Sequence, residues 1–505
     1  MKHTFKIIIV AIGVTFGSCS SDFLEKYDPT QLNAGNFYQT ENQLEQAVDG
    51  VYSQMQDLIS EQWYYAEYTS DNTTLHFDVG NRGHGPDREA LEYWQINPST
   101  MRIRDWYDLL YKGLGNINIT LAKMEGTDLD AAVKANFEGQ LKFFRAFYYF
   151  QLVQGFGDVV IVTEPIQSPA EAYTFARSPV SEVYTLIESD LSFAVSSLST
   201  RSSLDASDIG RVTKDAALSL LGKVYLTEKK YGDVVSTLTQ VLSMGYSLMT
   251  DYAEVFDPNM KNNAESIFEV QFQSDSEVGE WSGFTYNFYP RESYGAVIKF
   301  PNANGGGWNI PTLDIIGSYE DGDLRKAVSL KEGYTNLDGD WVPVPFIAKY
   351  YHPDSYTILG RPGNNWPVLR YADVLLMLAE AINEQTGPTS DALGYLNEIR
   401  DRAGLDALSG LTQDSFRDAI FHERRIELAF ENDRWYQLKR TMSPSELVTF
   451  LTAHGELERS HPTTDRGGIP FSPGDYKFEA FEALFPIPAD ERLINKELTQ
   501  NEGYN

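Results

Sequence analysis

Cysteine is almost missing: Cys19 is the only one among 505 residues. With residues 1–18 removed it would stand first, so disulfides, cysteine-ligated metal and thiol catalysis are excluded for the rest of the chain. Histidine is scarce as well. Beyond residue 18 there are His76, His84, His352, His422, His454 and His461, and no two stand three or four apart, so no helix face offers a paired-histidine metal site. His422-Glu423 lacks the second histidine of a zinc-protease helix. A Gly-x-Ser-x-Gly elbow and a phosphate-binding glycine loop are both missing, and Gly305-Gly306-Gly307 reads as flexible backbone. Positive charge is the other deficit. Against 72 Asp and Glu stand 41 Lys and Arg, a formal net charge of −31, which repels nucleic-acid backbones and anionic membranes. The one long apolar run, Ile7 to Phe16, has ten residues, where a bilayer-spanning helix needs about 20.

That run follows Lys2 and Lys6 and reads as a secretory signal peptide over residues 1–18. Phe16-Gly17-Ser18-Cys19 resembles a bacterial lipoprotein cleavage box, with Cys19 as the lipidated residue. Residues 19–40 then form a tether, and residues 41–505 a single domain. Helical periodicity dominates that domain. Leu44, Ala47, Val48, Val51 and Met55 share one stripe, and residues 103–124 and 131–153 repeat the pattern. From Thr213 to Tyr246, Leu221, Gly222, Tyr225, Val234, Leu238 and Val241 sit at the offsets of a tetratricopeptide helix pair, with Gly222 allowing close approach. Leu378, Ala379, Ile382, Ala392, Leu396 and Ile399 form a second, more degenerate copy. The expected fold is therefore mainly α, with a helical scaffold over about 41–270 and 368–440. Phe268, Val270 and Phe272 alternate with polar residues as in a half-buried strand, and 71–98, 274–367 and 441–485 read as loop-rich.

Several segments in fixed order resemble the SusD/RagB family of outer-membrane nutrient-binding lipoproteins. They include Leu44-Glu45-Gln46-Ala47-Val48-Asp49-Gly50-Val51-Tyr52, Phe143-Phe144-Arg145-Ala146-Phe147-Tyr148-Tyr149 with Phe156-Gly157-Asp158, and Leu369-Arg370-Tyr371-Ala372-Asp373. Glu423-Arg424-Arg425-Ile426-Glu427 running to Arg434-Trp435, and the C-terminal Phe485-Pro486-Ile487-Pro488, complete the set. Val160 stands where the family often has proline after Phe-Gly-Asp-Val. The resemblance implies a SusD-like fold built on tetratricopeptide-type hairpins, lipid-anchored on the outer membrane and facing the exterior. It also implies a lid over a SusC-like TonB-dependent transporter that helps deliver glycans, with a peptide ligand as the RagB-like alternative.

The candidate binding residues are aromatics in loops. Trp281, Phe284, Tyr286, Phe288, Tyr289 and Tyr294 place six aromatics in fourteen residues. Tyr and Trp offer a flat apolar face with a polar handle, suited to stacking on the C–H face of a sugar. Phe284 and Phe288 are expected to point inward from a strand, leaving Trp281, Tyr286, Tyr289 and Tyr294 for ligand. The glycine-punctuated stretch 71–98 supplies a second wall with Asn72, Arg82 and Trp94, and Asp71 and Arg370 are placed within reach of the same cleft, Arg370 alternatively in a buried ion pair. Glu423, Arg424, Arg425 and Glu427 read as ion pairs that fix a helix. Asn336-Leu337-Asp338-Gly339-Asp340 matches part of a calcium loop without its full ligand pattern, so a solvated turn is expected, with a structural calcium as the alternative. No carboxylate pair is singled out for glycoside hydrolysis, and the expected role is binding without catalysis and without a cofactor.

Overall fold

The computed structural model describes residues 37–80 and 85–504. Its first half is helical: α1 (Glu41–Ala66), α2 (Gly85–Glu92), α3 (Met101–Glu125), α4 (Ala131–Phe156), the single turn α5 (Pro169–Ala172) and α6 (Val180–Ser197). Local chemistry sets their starts. The Thr40 hydroxyl accepts from Gln43 N–H while the Gln43 side chain returns to the Thr40 backbone, and the Asp130 carboxylate accepts from Ala132 and Val133 N–H. Leu44, Val48, Val51 and Met55 are buried, as their spacing predicts. Helix α4 carries the centre of this block, packing against α1, α3 and α6.

The tetratricopeptide-type pair is α7 (Lys214–Thr227) and α8 (Tyr231–Val241). A Cβ added at Gly222 would lie 2.3 Å from Leu238 Cδ2, so glycine here is what lets the two helices touch. Gly222→Ala is expected to cost about 1–3 kcal/mol through overpacking, read as a lower urea midpoint with unchanged slope. The second pair is α12 (Tyr371–Thr386) and α13 (Ser390–Arg402), of which α12 packs on α8 and α7; it is followed by α14 (Gln413–Glu427) and α15 (Arg434–Thr441).

Two expectations about local structure need correction. Strand β2 (Ser266–Val270) pairs antiparallel with β8 (Trp366–Arg370), but it is buried on both faces. Glu269 is inside, accepting from Asn262 N–H and Asn365 Nδ2. The stretch 441–485 is not all loop, since α16 (Pro444–Ser460) runs through it. Ser443 and Glu446 form its capping box and Pro444 occupies its first turn, a start signal present in the sequence. No helix among the described residues is long and apolar enough to cross a membrane.

Three small ribbons organise the middle of the chain: β1 (Thr73–Thr74) with β3 (Ile310–Pro311), β4 (Leu330–Lys331) with β7 (Phe346–Ile347), and β5 (Tyr334–Thr335) with β6 (Trp341–Val342). The first ties the loop after α1 to the mid-chain insertion. Its tie is extended by His76 N–H donating to Gly307 O at 2.8 Å and Thr312 N–H to Asn72 O at 3.0 Å. The triple glycine is correspondingly not slack: a Cβ at Gly305 would lie 2.2 Å from Tyr289 O, so the backbones cross there in contact.

Candidate functional site

The joined loops leave a cleft of about 550 Å³ between them. One side is His76 from the loop after β1; the floor and a second side are the turn 290–294; the third is the β5–β6 hairpin with Tyr334, Asn336, Leu337, Asp338 and Val342. Tyr294 is 55% exposed and sits in a left-handed conformation (φ 48°). Its N–H donates to Asn304 Oδ1 at 2.7 Å, which holds that backbone in place. Tyr334 is half-buried and faces the cleft with its cross-strand partner Val342, while Thr335 and the 60%-exposed Trp341 occupy the hairpin's other face.

The polar lining is largely committed within the protein. Arg291 pairs with Asp78 at 2.6 Å, and the ring of the half-buried Trp308 is met by the guanidinium groups of Arg88 (4.1 Å) and Arg291 (5.5 Å). Burial, reinforced by the neighbouring Arg291, pushes the His76 pKa down, so the ring is neutral at physiological pH. Asn336 Oδ1 accepts from Asp338 and Asp340 N–H at 3.0 and 2.8 Å, so it closes its own turn. Among the described residues no three His, Cys, Asp or Glu side chains are placed to hold a metal ion. The cleft thus offers two flat phenol rings, carboxylate acceptors at Glu292 and Asp338, and an apolar strip along Val342 and Val344.

Of the residues expected to bind ligand, Tyr294 alone lines this cleft. Trp281 and Tyr286 are half-buried and lie apart from it: Trp281 beneath the Arg361 guanidinium at 5.0 Å, Tyr286 accepting from Gly360 N–H at 2.8 Å. Arg82, like Cys19, lies outside the described residues. The other five are corrections. Tyr289 has no exposed surface, and its hydroxyl donates to Tyr350 O. Phe284 and Phe288 are buried with it, but as a helical i, i+4 pair around the one-turn α9 (Thr285–Phe288) and not as a strand. Trp94 is buried in a satellite core with Trp435, Tyr476 and Phe478 and offers no free face.

Asp71, Asn72 and Arg370 belong to buried polar networks. Arg434 grips the Asp71 carboxylate through two bonds of 2.8 and 2.9 Å, and Arg425 adds a third contact at 2.8 Å. Burial alone would raise the Asp71 pKa, but Arg425 and Arg434 outweigh it and hold the carboxyl well below its usual range. Asn72 Oδ1 accepts from Arg425 Nε at 2.9 Å. Arg370, the residue before α12, meets Glu265 at 2.7 Å, Glu427 at 2.6 Å and Glu431 at 2.8 Å. The charges around Glu423 do form ion pairs, but with distant partners: Glu423 with Arg325 and Arg400, Arg424 with Asp373 and Asp433, Arg425 with Asp71 and Asp314.

Sequence reasoning missed Tyr334 and Arg291. For Tyr334 a signal existed: Tyr334-Thr335 and Trp341-Val342 flank a five-residue, glycine-containing turn, which is a hairpin pattern. The cleft itself depends on a pairing between residues 73–74 and 310–311, which no local pattern announces.

Comparison with known proteins completes the picture. Residues 22–226 match a family described as "Starch-binding associating with outer membrane", and residues 343–504 match the SusD family. SusD-like protein P25 of Formosa agariphila is 28% identical over 550 residues, covering 99% of this chain and 98% of that protein. Among solved structures, a laminarin-binding SusD-like protein is 26% identical, with a TM-score of 0.76 over 92% of this chain and all of that one. A SusD superfamily protein from Parabacteroides distasonis is 25% identical, with a TM-score of 0.75 over 94% of this chain and 100% of that one. The helix pairs at Gly222 and Leu378, the long helical frame around α4, and these matches from end to end agree: the chain belongs to the SusD/RagB family of outer-membrane-associated glycan-binding proteins.

Proposed function

We propose that this protein, anchored by lipid at Cys19 on the outer face of the outer membrane, captures glycan in the Tyr294 cleft and passes it to a SusC-like TonB-dependent transporter. The observation that carries the binding step is Tyr294: an exposed ring on a backbone held by Asn304, lining with Tyr334 a cleft of about 550 Å³. A pyranose can stack on such a face while Glu292 and Asp338 meet its hydroxyls. The similar protein described as laminarin-binding makes β-glucan oligosaccharides the first ligands to try.

Affinity should be modest, because one or two stacked faces leave little after ordering costs. Calorimetric titration of the mature chain against a glycan panel tests the reading. Tyr294→Ala is expected to weaken a hit by about 1–1.5 kcal/mol, roughly tenfold in Kd, with no change in melting temperature because the ring is exposed. An unaffected hit would move the site elsewhere. Glu292 and Asp338 are two carboxylates in one cleft, so the same incubation is assayed for new reducing ends. Turnover abolished by Glu292→Gln or Asp338→Asn would make the protein a glycosidase. The acidic rim favours one second reading, a peptide with basic groups, which mass spectrometry of co-purifying material separates from the first.

A further inference from the structure

We infer that the cleft discriminates by charge: it accepts uncharged glycans and rejects those bearing carboxylate or sulfate, with Glu292 and Asp338 as the specificity-determining residues. The inference rests on the glycan reading above and adds the chemical class of glycan.

Two groups in the described lining could attract an anion, and neither is available. Arg291 is matched by Asp78 at 2.6 Å and also lies near the ring of Trp308. His76 is neutral, pressed by burial and by Arg291 itself. The acids are in the opposite condition. Glu292 and Asp338 are exposed, one on the floor turn and one at the hairpin tip, and among the described residues neither has a cation within ion-pairing distance. The lining therefore carries two uncompensated negative charges inside a chain whose net charge is −31.

A carboxylate is a strong acceptor for a sugar hydroxyl, since the charged oxygen shortens and strengthens the bond. The same oxygen repels a uronate or a sulfate ester seated in the cleft. Physiological salt screens charges beyond about 8 Å, so an anionic group held in hydrogen-bonding reach of either carboxylate would still feel the repulsion. The rim thus rewards neutral polyols and penalises polyanions with one pair of side chains.

The test compares laminarin oligosaccharides and other neutral oligosaccharides with polygalacturonate, alginate and dextran sulfate, at 0.15 M and 0.5 M salt. Every clear hit is expected to be neutral, with anionic chains at least about tenfold weaker and strengthening as salt rises. In Glu292→Gln/Asp338→Asn the gap between the classes is expected to narrow about tenfold, with melting temperature retained because both side chains are exposed. An anionic glycan that binds as tightly as any neutral one, and loses affinity on Tyr294→Ala, would overturn the charge inference and leave the glycan cleft standing. An unchanged gap in the double variant would overturn the assignment to these two residues. No hit in either class would sink the glycan reading and this inference with it.

Discussion

Arg370→Ala is expected to lower the free energy of unfolding by about 3–5 kcal/mol, the cost of breaking a buried ion cluster by removing one partner. Arg370 is 2% exposed and binds three carboxylates at once, and its Nη2 also donates to the Glu427 carbonyl at 2.6 Å. Glu427 is the hub. It takes Arg325, Arg370 and Arg402, and while burial would raise its pKa, those three cations hold the carboxyl well below its usual range. Without Arg370, Glu431 keeps Lys349 and Glu265 keeps Arg402, but each loses a charged hydrogen bond in a buried site. Urea unfolding of the mature protein at neutral pH measures the loss. Glycan affinity of the folded variant should match the parent, because nothing in this cluster lines the cleft. A variant of unchanged stability that no longer binds glycan would return Arg370 to the ligand site.

The same cluster shows where sequence is informative and where it stops. Burial of Leu44, Val48, Gly222 and Leu238 could be read from period and size, because a helix face is a local property. The pairing of Arg425 with Asp71 joins residues that only the finished fold brings together, so Asp71 looked like a polar loop residue available to a ligand. Trp94 and Tyr289 failed for a related reason. Aromatics in glycine-rich sequence suggest a surface, but here the loops form small cores, Trp94 with Tyr476 and Phe478 against α15 and α16, and Tyr289 with Val297, Ile298 and Phe346. Tyr294 differs through its place at the end of the aromatic run, where the turn leaves the packed region and the ring meets solvent. The ligand side of such a chain is written in long-range loop contacts, and its scaffold in helix periodicity.

One buried group is left at odds with its surroundings, and its removal should stabilise the protein. Glu67 lies at the C-terminus of α1 with no exposed surface. Its Oε1 accepts from Asn432 N–H at 2.7 Å, while Oε2 has no hydrogen-bond partner. Burial pushes its pKa up to about 8. In the unfolded chain the same carboxyl titrates near 4.3. A raised folded value means that its contribution is fully present below about pH 4 and is lost progressively as pH rises to about 8, so at pH 7 the fold is short by on the order of 3 kcal/mol. Glu67→Gln keeps the acceptor for Asn432 and has no proton to lose. The variant should therefore gain on the parent by roughly 1.4 kcal/mol per pH step between pH 5 and 8 and level off above. Other buried groups titrate in the same window, Lys439 with a pKa lowered to about 7 and Lys349 to about 8, both by burial first. The Lys439 contribution is common to both proteins and cancels in the difference, whereas Lys349 favours the charged form of Glu67 and its contribution changes with the substitution, which adds to the pH dependence without reversing its sign. Stability curves measured across that range give the answer directly: a difference that stays flat with pH would mean that Glu67 is ionised inside the fold, with a cation or water supplying the partner that Oε2 now lacks.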